Sequence, residues 1–411
     1  MAMQNSDAPG TEGWWQQIAS QGTPIVIKRS DGSLAATFYW RDPEGSEQTS
    51  PWQYIWLNIT GITDHHQTEA PLSLQRITGT DVWYATLTLP ANWRGSYCFL
   101  PDSTVAPQHA QLTLTTRRDW WQGKIQHCIP DALNPLRSWQ SAKGHWTSPL
   151  HMPSAPAQDE WRETDNGTLS LNTPVCRFEW ASTQLNNRRQ IAFFSTREHP
   201  NIDHPLVIIL DGEFWLTGMP IMPVLYDLTA QGQLPEAVYV FIDSVNNSLR
   251  SAELPCNEAF WMSVKEELLP QLRSKIAFSQ QATKTVLVGQ SFGGLSALYA
   301  ALRWPERFAC VLSQSASLWW PERDVSQNSK QRAIAELLLQ SQTAHYPLSV
   351  ALDAGRYENI ILQSHRQLMP VLDSRIDTLR YREVEGGHDA LCWRGGIISG
   401  LKWLWSSEKV T

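Results

Sequence analysis

The run Thr285-Val286-Leu287-Val288 passes directly into Gly289-Gln290-Ser291-Phe292-Gly293, and this junction constrains the fold more than any other stretch of the chain. A β-branched apolar run asks for a buried strand. Beyond it, Leu295, Leu298, Tyr299 and Leu302 recur with the period of a helix packed on a sheet. Strand, sharp turn and helix in that order predict a strained Ser291 lifted clear of the sheet, flanked at 289 and 293 by glycines where a side chain would collide with neighbouring backbone. That is the pattern of a nucleophile elbow.

At 411 residues the chain exceeds the size at which a single hydrophobic core keeps growing, so two domains are expected. With 42% hydrophobic and 18% charged residues and no apolar run long enough to cross a bilayer, it reads as a soluble globular protein with no membrane partner. The start, Met1 to Asp7, lacks a basic region followed by an apolar one, so a cytoplasmic location is expected. Six cysteines without CxxC pairs suit free thiols. A net charge of −7 argues against nucleic acid as a partner, and oligomeric state is not legible.

Short β-type runs separated by turn clusters fill the first half: Pro24–Ile27, Leu34–Trp40, Tyr54–Ile59, Trp83–Leu89, Ser96–Leu100 and Gln111–Thr115. Their spacing predicts an all-β immunoglobulin-like sandwich over residues 1–150. Irregular, Pro-containing sequence then predicts a connector over 151–172. From 173 to 411 strand and helix alternate: Cys176–Trp180, Arg189–Ser195, Pro205–Leu210, Ala237–Ile242, the elbow strand, Cys310–Ser313, Ser349–Leu352 and Leu379–Val384, with helices such as Trp261–Arg273 and Gln331–Gln340 between. Eight strands with interleaved helices give a doubly wound, mainly parallel sheet, the α/β-hydrolase arrangement.

A serine hydroxyl is a weak nucleophile, so Ser291 needs an imidazole and a carboxylate to orient it, and in α/β-hydrolases both follow late in the chain. Of His345, His365 and His388, only His388 follows a strand on a flexible Gly386-Gly387 loop, which makes it the candidate base; His365 lies in a helical pattern and His345 before Tyr346-Pro347. The acid is Asp353, at a strand end, or Glu358, on the loop beyond Gly355, with Glu358 favoured. The oxyanion hole is expected to combine the backbone N–H of Phe292 with that of Glu213 or Phe214, on the turn opened by Gly212. Asp64-His65-His66 is not expected to hold a metal, because adjacent loop residues seldom converge on one ion.

Gly289-Gln290-Ser291-Phe292-Gly293-Gly294-Leu295 with Trp304-Pro305-Glu306-Arg307-Phe308, Leu210-Asp211-Gly212-Glu213-Phe214-Trp215, Glu253-Leu254-Pro255-Cys256-Asn257 and Gly386-Gly387-His388-Asp389-Ala390-Leu391-Cys392-Trp393-Arg394 resembles the enterochelin (enterobactin) esterase family. The first half joins in through Trp40-Arg41-Asp42-Pro43, Thr63-Asp64-His65-His66-Gln67 and Asn92-Trp93-Arg94-Gly95-Ser96, so the resemblance covers nearly the whole chain. It implies a cytoplasmic serine esterase acting on the tri-serine lactone of a ferric catecholate siderophore, with no cofactor, since iron arrives bound in the substrate. It also implies Glu358 as the acid; residue 353 is a shorter Asp where a Glu is usual. A bulky aromatic trianion calls for cationic and aromatic surface, and Arg188, Arg189, Arg250, Arg394, Trp215 and Trp393 are the substrate-binding candidates. Two other readings remain, an esterase for feruloyl or acyl-sugar esters and a non-catalytic siderophore-binding protein.

Overall fold

In the first half of the chain, short runs whose apolar residues demand burial on one or both faces pair into two antiparallel sheets. The computed structural model describes residues 7–67, 70–104, 114–141, 144–170, 174–321, 333–340 and 345–406. Strands β1 (Ile25–Lys28), β2 (Leu34–Arg41), β3 (Tyr54–Ile59), β4 (Gln75–Arg76), β5 (Val82–Leu89), β6 (Arg94–Asp102), β7 (Trp139–Gln140) and β8 (Trp146–His151) form sheets ordered β1-β2-β5-β4 and β3-β6-β8-β7. Across the first sheet the β2–β5 pairing sets Thr37 against Thr86, whose hydroxyls are 2.9 Å apart. In the second, β3 and β6 are buried almost throughout. Trp56, Cys98 and Leu100 from these strands cluster with Trp121, Ile125 and Cys128, contributed by helix Leu114–Lys124 and the turn after it.

Several elements here were not read from the sequence. Helix Glu12–Gln21 begins at Thr11, whose hydroxyl accepts the Trp14 N–H, and buries Trp14, Trp15 and Ile18 against Val82. The strand expected at Gln111–Thr115 is not formed: 114 and 115 open helix Leu114–Lys124, and 111–113 lie outside the described residues. The connector expected over 151–172 is corrected too, because the chain divides into two compact units after Leu169, and Trp161 is fully buried. The first unit also takes in Glu385–Cys392, far along the chain.

The second unit, Ser170–Val384 with Trp393–Thr411, is built on one eight-stranded sheet. Its strands are β9 (Cys176–Ser182), β10 (Asn187–Ser195), β11 (Leu206–Leu210), β12 (Val238–Ile242), β13 (Thr285–Gln290), β14 (Cys310–Gln314), β15 (Tyr346–Gly355) and β16 (Ile376–Val384), in the order β16-β15-β14-β13-β11-β12-β10-β9. The pairs from β12 through β11, β13, β14 and β15 to β16 are parallel, and β9 and β10 add an antiparallel edge. Strands β11 to β14 are buried along their whole length, as parallel strands covered on both faces must be. All eight strands coincide with the runs predicted from sequence.

Of the six described non-glycine residues with positive φ, four lie just past the carboxyl ends of neighbouring parallel strands: Asp211 after β11, Val245 after β12, Ser291 after β13 and Ser315 after β14. Open α/β sheets bind ligands at that edge, and unfavourable backbone conformations collect at functional sites.

Candidate active site

Ser291 links β13 to helix Phe292–Arg303 with φ 59° and ψ −120°, a conformation that holds the serine on a tight bend. Its N–H donates to the Gln314 carbonyl at 3.0 Å and its carbonyl accepts from Ser317 N–H at 3.1 Å. The steric demand falls on Gly289 and Gly294. A Cβ at 289 would lie 2.2 Å from the Gly293 carbonyl oxygen, and one at 294 would lie 3.0 Å from the Gln314 carbonyl oxygen. At Gly293 the nearest neighbours would be at 3.5 Å, ordinary contact, which corrects the expectation that 293 must be glycine for lack of space.

Beneath the elbow runs a buried polar network that was not read from the sequence. Trp215 Nε1 donates to Gln290 Oε1 at 3.1 Å, Gln290 Nε2 to Gln314 Oε1 at 3.0 Å, and Gln314 Nε2 to the Trp393 carbonyl at 3.0 Å. Trp393 Nε1 closes it onto Ser315 Oγ at 2.8 Å. The only sequence signal was two glutamines at the carboxyl ends of strands in register, Gln290 opposite Gln314.

The loop after β11 turns at Asp211, with φ 53°, rather than at Gly212. Gly212 is required for another reason: a Cβ there would meet the Phe241 and Ile242 backbone at 2.8 to 2.9 Å. Burial alone would raise the Asp211 carboxyl, but the Arg250 guanidinium, which donates to both its oxygens at 2.7 Å, holds it below the usual range. Phe214 N–H donates to the Asp211 carbonyl at 3.1 Å, and the Glu213 side chain pairs with Arg177.

The two candidate acids differ in what they hold. Asp353 accepts from Arg382 Nε at 2.8 Å and Nη2 at 2.7 Å, a bidentate ion pair between β15 and β16. Glu358 is buried at the start of helix Asn359–Asp373, with one oxygen accepting from Gly355 N–H at 2.7 Å. Of the other histidines, His365 is buried in that helix and His345 is exposed beside Asp377. His388 belongs to Glu385–Cys392, the segment that packs in the first unit.

The enterochelin esterase N-terminal family profile matches residues 35–161, and a profile described as putative esterase matches 182–404. The chain belongs to the enterochelin esterase family. It is an ester hydrolase. An iron(III) enterobactin esterase of Escherichia coli O6:H1 is 46% identical over 400 residues, covering 96% of each chain. Among solved structures, a ferric enterobactin esterase from Salmonella typhimurium superposes with TM-score 0.87 at 42% identity, covering 96% of this chain and 98% of that one. An enterobactin esterase from Shigella flexneri, solved in the presence of enterobactin, gives TM-score 0.86 at 43% identity, covering 97% and 99%.

The predicted substrate-binding residues divide by burial. Trp215 and Arg394 have no exposed surface, and Arg189 is buried in an ion pair with Glu253 at 2.6 Å. A guanidinium with a carboxylate partner can be buried, as Arg189 is beside Glu253. Arg188 is exposed with Glu179 on the β9–β10 hairpin, Arg250 is only partly covered by Asp211, and Trp393 keeps part of its surface accessible. Asp64, His65 and His66 bring one potential ligand atom each within 4.8 Å of one another. Asp64 already accepts from His66 twice, through Nδ1 at 2.8 Å and the backbone N–H at 3.0 Å, so the cluster is in the first place an Asp–His pair.

Proposed function

We propose that this chain hydrolyses the tri-serine lactone esters of ferric enterobactin, or of a closely related catecholate siderophore, and so releases iron. The observation that carries the reading is similarity along both units to esterases named for that substrate, one of them solved with enterobactin, joined to a serine on a strained elbow. Ser291 Oγ attacks a lactone carbonyl while His388 takes its proton, giving a tetrahedral oxyanion held by the backbone N–H groups of Phe292 and Glu213. Collapse breaks the ester C–O bond, and His388 returns the proton to the departing serine hydroxyl. Water then enters by the same route, its proton going to His388 and its oxygen to the acyl carbon, freeing Ser291. Glu358 is the carboxylate that orients His388, because Asp353 is held by Arg382.

Arg188, Arg250 and Trp393 are the candidate contacts to the anionic aromatic substrate. No resident cofactor takes part in the reading, the iron being cargo, and the reaction is assigned to the cytoplasm. Among the described residues no helix is long and apolar enough to cross a membrane. The test is to incubate the purified protein with ferric enterobactin and, separately, with a feruloyl ester, and to separate the products. Linear and monomeric dihydroxybenzoyl-serine from the first, with little turnover of the second, is the expected result.

A further inference from the structure

The segment carrying His388 is seated on the β-sandwich by contacts on both sides of the histidine. Arg94 N–H donates to the Glu385 carbonyl at 3.1 Å, and Ser96 holds Asp389 through its backbone N–H at 2.8 Å and its hydroxyl at 3.1 Å. Gln158 Nε2 reaches the Leu391 carbonyl at 2.8 Å. Between these anchors the backbone at Gly387 lies so close to the loop after β3 that a Cβ there would be 2.9 Å from both Gly61 Cα and the Thr60 carbonyl oxygen.

That same loop carries Asp64 and His66. Asp64 is buried and takes the His66 Nδ1–H, which fixes the His66 ring, and that ring lies 5.4 Å from the His388 ring, tilted by 41°. Burial would raise the Asp64 carboxyl, but His66 and His65 beside it and a hydrogen bond from Gly61 N–H hold it well below the usual range, so it is a carboxylate at any working pH.

We propose that Asp64 and His66 form a positioning pair for His388, the His66 ring limiting rotation of the catalytic imidazole and the Asp64 charge behind it favouring the imidazolium that forms during each proton transfer. The inference rests on His388 being the base, as proposed above. It assigns the β-sandwich a part in the chemical step through a local Asp–His pair of its own.

The experiment compares kcat, KM and the acid limb of the pH–rate profile for Asp64→Asn, His66→Gln, the double variant and His388→Ala, on ferric enterobactin and on a small activated ester. The expected result is a fall in kcat of about tenfold for each single variant on both substrates, with KM unchanged, as for a displaced but present catalytic group. Asp64→Asn also moves the acid limb to lower pH, because a lost negative charge leaves the imidazolium less stabilised. The other titratable groups of this neighbourhood, His65, Arg94, Glu385 and Asp389, are unchanged in the variants. Since the pair acts as a unit, the double variant loses no more than the worse single one.

If Asp64→Asn fails to fold, His66→Gln carries the test, its side chain being 26% exposed and its replacement still able to donate to Asp64. An inactive His388→Ala with unchanged kcat and acid limb in the pair variants overturns the positioning role alone. Losses that add in the double variant, or that fall on KM, overturn it too. An active His388→Ala overturns the assignment of the base and the positioning role with it.

Discussion

The backbone around Ser291 is fixed by residues next to it in sequence and by the strand beside it, whereas the segment around His388 is fixed by residues as far as 298 positions earlier in the chain. At the elbow, Gly289, Gly294 and the start of helix Phe292–Arg303 leave the serine one conformation, and a central strand on either side of β13 closes the sheet. Around His388, the proposed base, two glycines give the chain freedom, and side chains and amides of the β-sandwich take it away. A nucleophile needs one strained geometry that local sequence can encode. A base must be brought to it, and its position can be delegated to another part of the molecule. This contrast predicts which changes disable chemistry at once and which loosen it.

The largest effect is expected at the elbow. On the proposed mechanism Ser291→Ala removes the group that forms the acyl-enzyme, so kcat is expected to fall by roughly 10⁴-fold or more while the melting temperature stays close to that of the parent. Burst kinetics and thermal melts on the same preparation check both halves. Retained turnover would dissolve the contrast, because the rigidly held region would then not be the reacting one.

Next come the two carboxylates. Glu358→Gln is expected to lower kcat by about 10²- to 10⁴-fold, since the amide cannot stabilise the imidazolium. Asp353→Asn leaves Arg382 with a weakened partner and is expected to cost roughly 2 kcal/mol of stability with a much smaller change in kcat. Urea unfolding beside steady-state kinetics separates the two, and a reversed ranking moves the acid to Asp353.

A smaller effect tests the seat of the proposed base directly. Asp389→Ala removes the acceptor of both Ser96 hydrogen bonds and should lower kcat by about tenfold with KM unchanged, leaving stoichiometric labelling of Ser291 by an organophosphorus ester complete but slower. Unchanged labelling and turnover would mean that the Gly386-Gly387 backbone contacts hold the loop without Asp389.

The same contrast explains what the sequence disclosed. Strands β11 to β14 were legible because their fully buried runs are mostly apolar, and Ser291 because its neighbours in sequence are the residues that strain it. Strand β8 was passed over: Thr147 and Ser148 are buried polar residues satisfied by distant partners, the Tyr97 carbonyl and the Asp131 N–H, and Pro149 sits beside them. Helix Leu114–Lys124 was hidden by its polar, Arg-rich composition, though Trp121 is buried. The burial of Arg189 beside Glu253 and of Trp215 beside Gln290 was not legible, because residue type does not reveal the partner that makes burial tolerable. The packing of Glu385–Cys392 on the β-sandwich left no trace in local pattern, since its anchors, Arg94 and Ser96, lie far away in the sequence, on β6.

The smallest expected effect concerns a second late histidine, His365, and separates the proposed base from a histidine that packs. His365 is buried in helix Asn359–Asp373, donating Nδ1–H to the Ile361 carbonyl at 2.8 Å and stacked 6.1 Å from Tyr381. Burial depresses its pKa, an effect that the Ile361 hydrogen bond and the carboxylates of Glu358, Asp353 and Glu383 only partly oppose. A group whose pKa is lower folded than unfolded contributes stability that is present above the unfolded value, about 6.5 for histidine, and is lost as pH falls through the folded value. In that window the unfolded chain binds a proton that the folded one refuses, which lowers the unfolding free energy by up to about 1.4 kcal/mol per pH unit. His365→Leu removes this single contribution, so urea unfolding between pH 5 and pH 8 should show a shallower loss of stability on the acid side than the parent shows. Parallel curves would mean that His365 takes its proton while folded, in which case burial would not distinguish it from His388 and the contrast between the two regions would rest on Ser291 alone.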